Sequence, residues 1–440
     1  MTTETKKTVQ LPPGPSEKFD LNTTSESFDK VKALVADFPD ICRVQSDTRQ
    51  NDSYLVNNPD YLKHILVKNY QNYNKGLGFS RVKMLLGNGI IVSDGPFWKR
   101  QRRMMQPSFT RKVIAKLTTQ IQQCNQKLFT DWSKKANLNQ TIDITQAASE
   151  LSLEIVLRAL LSDDLDTLIE EQGGINPFEF LTDDFTRDIK VVLKFREVSK
   201  LLLNIIHIRR EQQPERVDFL AMFMDSRDKE TDEAMSDKEL LDELMTLIIA
   251  GHETSAITLN WTWYFISQHP EVESKLHLEV DANVTKNSVP QFEELDKLPY
   301  IKQIVDEALR YYPPVWLFTR KAITDDYLGD YFVPAGTDIF ITPYFLHRHP
   351  DYWSDSESFD PERFTEAAIK NQHKNAYIPF SAGPRRCIGD FFATIEMQIH
   401  IGLMARSFQL EYIPDIPLEL EPDVNLRTKH PILMKITNRK

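Results

Sequence analysis

The chain has 440 residues, 41% of them hydrophobic and 27% charged, and a formal net charge of −11. This is enough apolar material for a large core, and the acidic balance argues against nucleic acid or an anionic membrane surface as a partner of the whole chain. Three cysteines, Cys42, Cys124 and Cys387, are too few and too scattered for a disulfide framework or a CxxC metal site, which points to a reduced, cytoplasmic setting.

Residues 1–20 read as an N-terminal extension without a signal peptide or membrane anchor, and no later run is apolar for long enough to cross a bilayer. Residues 21–440 show no repeat, no low-complexity linker and no break in composition, so a single large domain is expected. "ICRVQ" and "SYLVN" predict two short strands, and "NPDYLKHILV" predicts a helix capped by Asn58 with Pro59 at its first position. From Phe97 to about Tyr300 the apolar spacing is helical almost without strand signals. Within that stretch a basic island, "WKRQRR" and "TRKVIAK", reads either as a solvated helix face or as a docking patch.

The longest predicted helix runs from about Ser236, where "SDKE" is a capping box, to Gln268. It is apolar on several faces and so should cross the centre of the molecule. In its middle, "AGHETS" places Gly251, Glu253 and Thr254 where each is costly. Thr254 can bond back to the carbonyl of Ala250 and bend the helix, or the bend can open a groove in which hydroxyl, carboxylate and water pass protons to a ligand. Farther on, "DEALRYYPP" sets Glu307 and Arg310 on one helix face, where Arg363 of "FDPERF" can join them in a buried ion network. Short β-type pieces follow, including "DYFVPAGTDIFIT", and a last helix is expected from near Gly389. The fold class is therefore mainly α with a smaller β region, α+β, with one long central helix.

Just before that last helix lies "FSAGPRRCIGDFFATIE", and it carries a resemblance. Phe380, Gly383, Arg385, Cys387 and Gly389 match every fixed position of FxxGxRxCxG, the haem-binding signature of the cytochrome P450 family. "AGHETS", "EALR", "PERF" and "WKRQR" resemble the family's other motifs, in the family's order, and the resemblance runs from about Leu11 to the C-terminus. It implies a haem-thiolate monooxygenase of the soluble bacterial type, with haem b and Cys387 as the axial thiolate ligand of its iron. The helix after Cys387 would stabilise that anion through its N-terminal dipole, Gly383 and Gly389 would admit the porphyrin, and Phe380 would shield the sulfur.

The resemblance implies further roles. The haem propionates would be held by Trp98, Arg102 and Arg385, with Arg320 and His347 as additional contacts; His347 reads equally well as a satisfied loop histidine. Thr254 and Glu253 would deliver protons to bound O2. The substrate pocket would be lined by Met245, Ile249 and Ala250 from the central helix and by Val315, Trp316 and Leu317, so a lipophilic substrate is expected. The form of "AGHET" and of "GPFWKRQRRMMQPSFT" is most similar to the fatty-acid-hydroxylating branch, with a terpenoid or other natural-product intermediate as the alternative. Electrons would come from a separate ferredoxin or flavodoxin with its reductase, docking on a patch of Lys99, Arg100, Arg103 and Arg386. A monomer is expected. A peroxide-driven haem enzyme and a gas-binding sensor are the rival readings, and the Glu253–Thr254 pair argues against both.

Overall fold

The computed structural model describes residues 10–182 and 190–439, and helix dominates them. The helices that build the site are α1 (Gly95–Met105), α2 (Arg111–Asn137), α3 (Ile144–Leu161), α4 (Asp237–Gln268), α5 (Pro299–Tyr311) and α6 (Asp390–Ser407). α4 begins at the capping box of Ser236 and Glu239 and runs unbroken through "AGHETS", with most of its residues buried. No helix among the described residues is long and apolar enough to cross a membrane.

The cost of glycine inside α4 is offset by packing. A Cβ on Gly251 would lie 2.9 Å from a methyl of Val156, so the glycine lets α3 cross the central helix closely. Thr254 Oγ1 donates to the Ala250 carbonyl at 2.7 Å, and Thr258 and Thr262 repeat the bond one turn on each.

Strands β1 (Ile41–Val44), β2 (Ser53–Val56) and β3 (Tyr73–Lys75) lie before the helical region, β4 (Thr141–Asp143) inside it, and β5 (Phe318–Ala322) and β6 (Asp338–Ile341) after α5. The main sheet has the order β1-β2-β6-β5-β3, with β2 and β6 parallel and the other pairs antiparallel. Near the C-terminus come β7 (Phe408–Tyr412), β8 (Leu420–Pro422), β9 (Leu426–Thr428) and β10 (Leu433–Asn438). β10 pairs with β7 and with β4, whereas β8 and β9 form a hairpin.

Three local features differ from the sequence reading. β4 interrupts the helical middle, because its three residues find their partner at Leu433–Lys435, far along the chain. The helix opened by Asn58 and Pro59 widens into a π turn over His64–Lys68. Residues 10–20, expected as an extension, are docked on the sheet region as far as described: the N–H of Arg43 donates to Pro13 O at 2.7 Å and that of Phe19 to Gln45 O at 3.0 Å. Residues 1–9 of that extension lie outside the described residues.

Candidate active site

Cys387 sits in the turn that precedes α6. Its N–H donates to Phe380 O at 2.9 Å, the N–H of Arg386 closes on Gly383 O at 3.0 Å, and Ser381 takes a left-handed φ of 59°. Gly383 has φ +69°, and a Cβ there would come within 1.9 Å of the Leu66 carbonyl oxygen. The glycine is thus demanded by the π turn packed beneath the cysteine loop. A Cβ on Gly389 would meet no protein atom within 4 Å, so protein packing does not require that glycine.

The thiol is deeply surrounded by protein yet keeps accessible surface. Burial pushes its pKa up, and a hydrogen bond from the Gly389 backbone, with the positive charges of Arg102 and Arg386, pulls it back. A thiolate here needs a further positive partner, and a bound metal ion supplies one.

Beside the cysteine loop three cations converge. Lys75 at the end of β3, Arg320 on β5 and Arg385 in the loop face one another, and Asp94 is the carboxylate that faces all three. Arg385 lies 4.2 Å over the ring of buried Trp98, donates to the Ser93 carbonyl at 3.0 Å and pairs with Asp94 at 2.5 Å. Its Nε is buried without a hydrogen-bond partner. Arg320 donates only to its neighbour's carbonyl, Thr319 O, at 2.9 Å. Lys75 holds its ammonium 4.6 Å from the Phe79 ring, while its N–H donates to Asp94 at 3.1 Å. Burial depresses all three pKa values, that of Arg320 to about 9, and repulsion within the cluster adds to the fall on Lys75 and Arg320.

Buried like charges are tolerated when an anion completes the set. Excess positive charge with an orphaned donor, next to an accessible cysteine, fits a group bearing two carboxylates and a thiolate-seeking metal, which is haem. Lys75 and Asp94 are not among the residues singled out from the sequence; only the fold brings the end of β3 and the N-cap of α1 together beside Arg385.

One of the expected propionate contacts, His347, stands elsewhere. His347 is fully buried with both ring nitrogens engaged: Nε2 accepts from the Ile378 N–H at 3.0 Å, and Nδ1 meets Arg310 O at 3.3 Å. It staples α5 to the chain leading into the cysteine loop, and its propionate role is withdrawn. Arg102 donates to Arg386 O at 2.9 Å, on the cysteine's side, where its charge acts on the sulfur.

Glu307, Arg310 and Arg363 come together. Arg310 grips both carboxylate oxygens of Glu307 at 2.7 Å and donates to the carbonyls of His347, Ser356 and Ser358. Arg363 approaches the same carboxylate at 3.5 Å and donates to Ser354 and Asp355 carbonyls.

On α4, Glu253 lies 4.0 Å from Arg427 of β9, which also pairs with Glu421. Ser255 donates at 3.1 Å to Glu396, a fully enclosed carboxyl pushed up to about 8 by burial. That bond ties the helix bearing Thr254 to the helix that follows Cys387.

Ile249, Ala250 and Val315 are part-buried, whereas Met245 is buried in the main core. Trp316 and Leu317 are corrected: Trp316 is 1% exposed, packs on Phe28 and donates to Asp423 O, and Leu317 joins the same apolar cluster. The docking patch is thinner than expected. Arg103 is bound to Asp228 and Glu230, because the acidic stretch before α4 folds back onto α1; Arg100 is bound to Glu239 in the first turn of α4 and Arg386 to Asp390 at the start of α6, while Lys99 stays exposed.

The family model for cytochrome P450 matches residues 19–436. Among curated proteins, cyclooctatin synthase of Streptomyces melanosporofaciens is 31% identical, over 87% of this chain and 85% of that protein. The chloroplastic protein LUTEIN DEFICIENT 5 of Arabidopsis thaliana is 30% identical, over 88% of this chain and 70% of that one. The solved haem domain of cytochrome P450DA superposes with a TM-score of 0.84 at 22% identity, covering 98% of both chains. Fold, cysteine loop and cation cluster together define a haem-thiolate enzyme. The chain belongs to the cytochrome P450 family and is a monooxygenase using haem b.

Proposed function

We propose that this chain hydroxylates a large lipophilic substrate of the isoprenoid class, and that residues 21–440 act as one haem domain. When bound, haem supplies the oxygen-activating chemistry, and Cys387 would hold it from below while Lys75, Arg320 and Arg385 hold its carboxylates. The reading of the reaction type rests on Thr254 with Glu253 in the middle of α4, a hydroxyl bonded back to Ala250 O and a carboxylate 4.0 Å from Arg427, which are the residue types a proton relay uses. The substrate class is supported by the names of similar proteins, cyclooctatin synthase, cyclooctat-9-en-7-ol 5-monooxygenase and carotene epsilon-monooxygenase. A long-chain fatty acid is the second reading, supported by the "AGHET" and "GPFWKRQRRMMQPSFT" forms.

Titrating the ferric protein with diterpenes, carotenoid fragments and fatty acids, and identifying products made with a surrogate redox chain, separates the two. Spin-state shifts and oxygenated products from the isoprenoids are expected; products from fatty acids alone would overturn the first reading. Thr254→Ala should lower product per reductant consumed by about 100-fold, the lower end of what a positioned proton donor contributes. Unchanged coupling would remove Thr254 from that role. For electrons we infer a separate ferredoxin or flavodoxin, steered by Lys99 and the partly neutralised Arg386. Reduction rates should then fall with added salt and fall again in Lys99→Glu.

A further inference from the structure

The segment leading into α1 is held by two carboxylates that the proposed chemistry does not use. Residues 87–94 leave the short helix Phe79–Leu86, cross the N-terminal half of α4, and end at Ser93 and Asp94, which receive Arg385 beside the cysteine. On α4, Glu243 is fully buried: Oε2 accepts the Ile90 N–H at 2.8 Å, and Oε1 accepts Nε2 of Gln101 from α1 at 3.1 Å. Next to it, Asp242 accepts the Asn88 N–H at 2.9 Å and binds Lys238 through its other oxygen. The backbone is seated hard on these groups. A Cβ on Gly87, at φ +82°, would fall 2.0 Å from Asp242 Oδ1, and one on Gly89 would fall 2.1 Å from Thr246 Oγ1 and 2.6 Å from the Asp242 carbonyl oxygen.

Among the described residues Glu243 has no cationic partner to repay its burial. Its charged neighbours are Asp242 and Glu239 on its own helix, both acidic; Lys238 is spent on Asp242, Arg100 of α1 on Glu239, and residues 87–90 bring no charge. A group this costly to bury, with both oxygens spent on a loop and the helix it leads into, is placed to hold that loop. Thr246 and Thr254 are eight residues apart on α4, about 12 Å. The loop therefore runs from α4 at Thr246, about two turns before Thr254, to Asp94, which pairs with Arg385 two residues before Cys387.

We propose that Glu243, seconded by Asp242, is a positioning residue that latches residues 87–90 onto α4 and so sets how fast bulky ligands reach and leave the space in front of Cys387. The proposal rests on the haem-thiolate assignment and not on the substrate class. Burial pushes the Glu243 carboxyl up from 4.5 to about 7, with Asp242 and Glu239 adding to the rise and its two hydrogen bonds opposing it. An opened loop returns the carboxyl to water and to its ordinary value, so the closed form binds the proton more tightly. Opening is therefore promoted as pH rises through that window, and the closed form is favoured at its acid end.

The haem-loaded protein is compared with Glu243→Ala, Glu243→Gln and Gly89→Ala by amide hydrogen exchange and by stopped-flow absorbance. The probes are imidazole and 4-phenylimidazole, nitrogen ligands of haem iron that differ in bulk. In Glu243→Ala and Gly89→Ala the Ile90 amide should exchange about tenfold faster, and 4-phenylimidazole should both enter and leave about fivefold faster, with imidazole nearly unaffected. Wild-type 4-phenylimidazole rates should rise between roughly pH 5 and 8, and Glu243→Gln should flatten that rise. Wild-type exchange and rates in these variants, or equal acceleration of both probes, would overturn the latch. If Glu243→Ala fails to take up haem, Glu243→Gln and the wild-type pH series decide by the same readouts.

Discussion

Two buried charge clusters flank the cysteine loop, and they are built on opposite principles. Glu307, Arg310 and Arg363 form a closed set: two guanidinium groups share one carboxylate, and main-chain carbonyls receive most of the remaining N–H groups. Lys75, Arg320 and Arg385 form an open set, with one carboxylate for three cations, an excess of two positive charges. The closed set carries one positive charge in excess, with Nε of Arg363 close to the carboxylate but without a hydrogen bond, and it joins α5 to residues 354–363. The open set costs stability until an anion enters, and such a debt is how a fold advertises a site.

The comparison can be broken first at the closed set. Glu307→Gln should leave two buried guanidinium groups without their anion and cost about 3–5 kcal/mol. It should be read in thermal melts as loss of folded protein, with haem uptake lost in step. At the open set the two readouts should separate. Arg385→Leu would remove the charge-assisted bonds proposed between this residue and the haem carboxylates, about 1.5–3 kcal/mol, so haem affinity should fall about 10- to 100-fold. The haem-free chain should meanwhile lose far less than Glu307→Gln does, because relief of repulsion on Lys75 and Arg320 offsets the lost Asp94 pair and Ser93 bond. A haem-free melt lowered as far as that of Glu307→Gln would erase the distinction between the sets.

Packing under the distal helix provides a smaller test. Gly251→Val should force α3 and α4 apart at Val156 and cost about 1–3 kcal/mol without altering the ligand set of either cluster. The smallest effect concerns Glu396, whose folded pKa of about 8 stands above its ordinary 4.5. The folded chain then binds more protons than the unfolded one between those values. Stability from this group is intact below pH 4.5 and is lost as pH rises to about 8. Melting temperature should decline across that window, and Glu396→Gln should flatten the decline.

Much of this was legible in the chain because it is local. The capping box at Ser236, the helix-long apolar pattern after it, the Asn58 cap and the Glu307–Arg310 spacing each lie within one turn of helix, where sequence spacing is spatial spacing. The motif around Cys387 is equally local, and it identified the cofactor before any fold was in view. What could not be read is what distant segments do to one another. Gly383 answers to Leu66, Gly251 to Val156, and the engagement of His347 depends on Ile378 and Arg310. The same holds for Arg100 and Arg103, basic in sequence but neutralised by acids more than a hundred residues later. By itself, then, the sequence determined which chemistry the chain carries, since ligand identity and helix periodicity are written in neighbouring residues. Only the tertiary structure decided which buried charges are satisfied and which await a partner, because that balance depends on groups that the fold alone brings together.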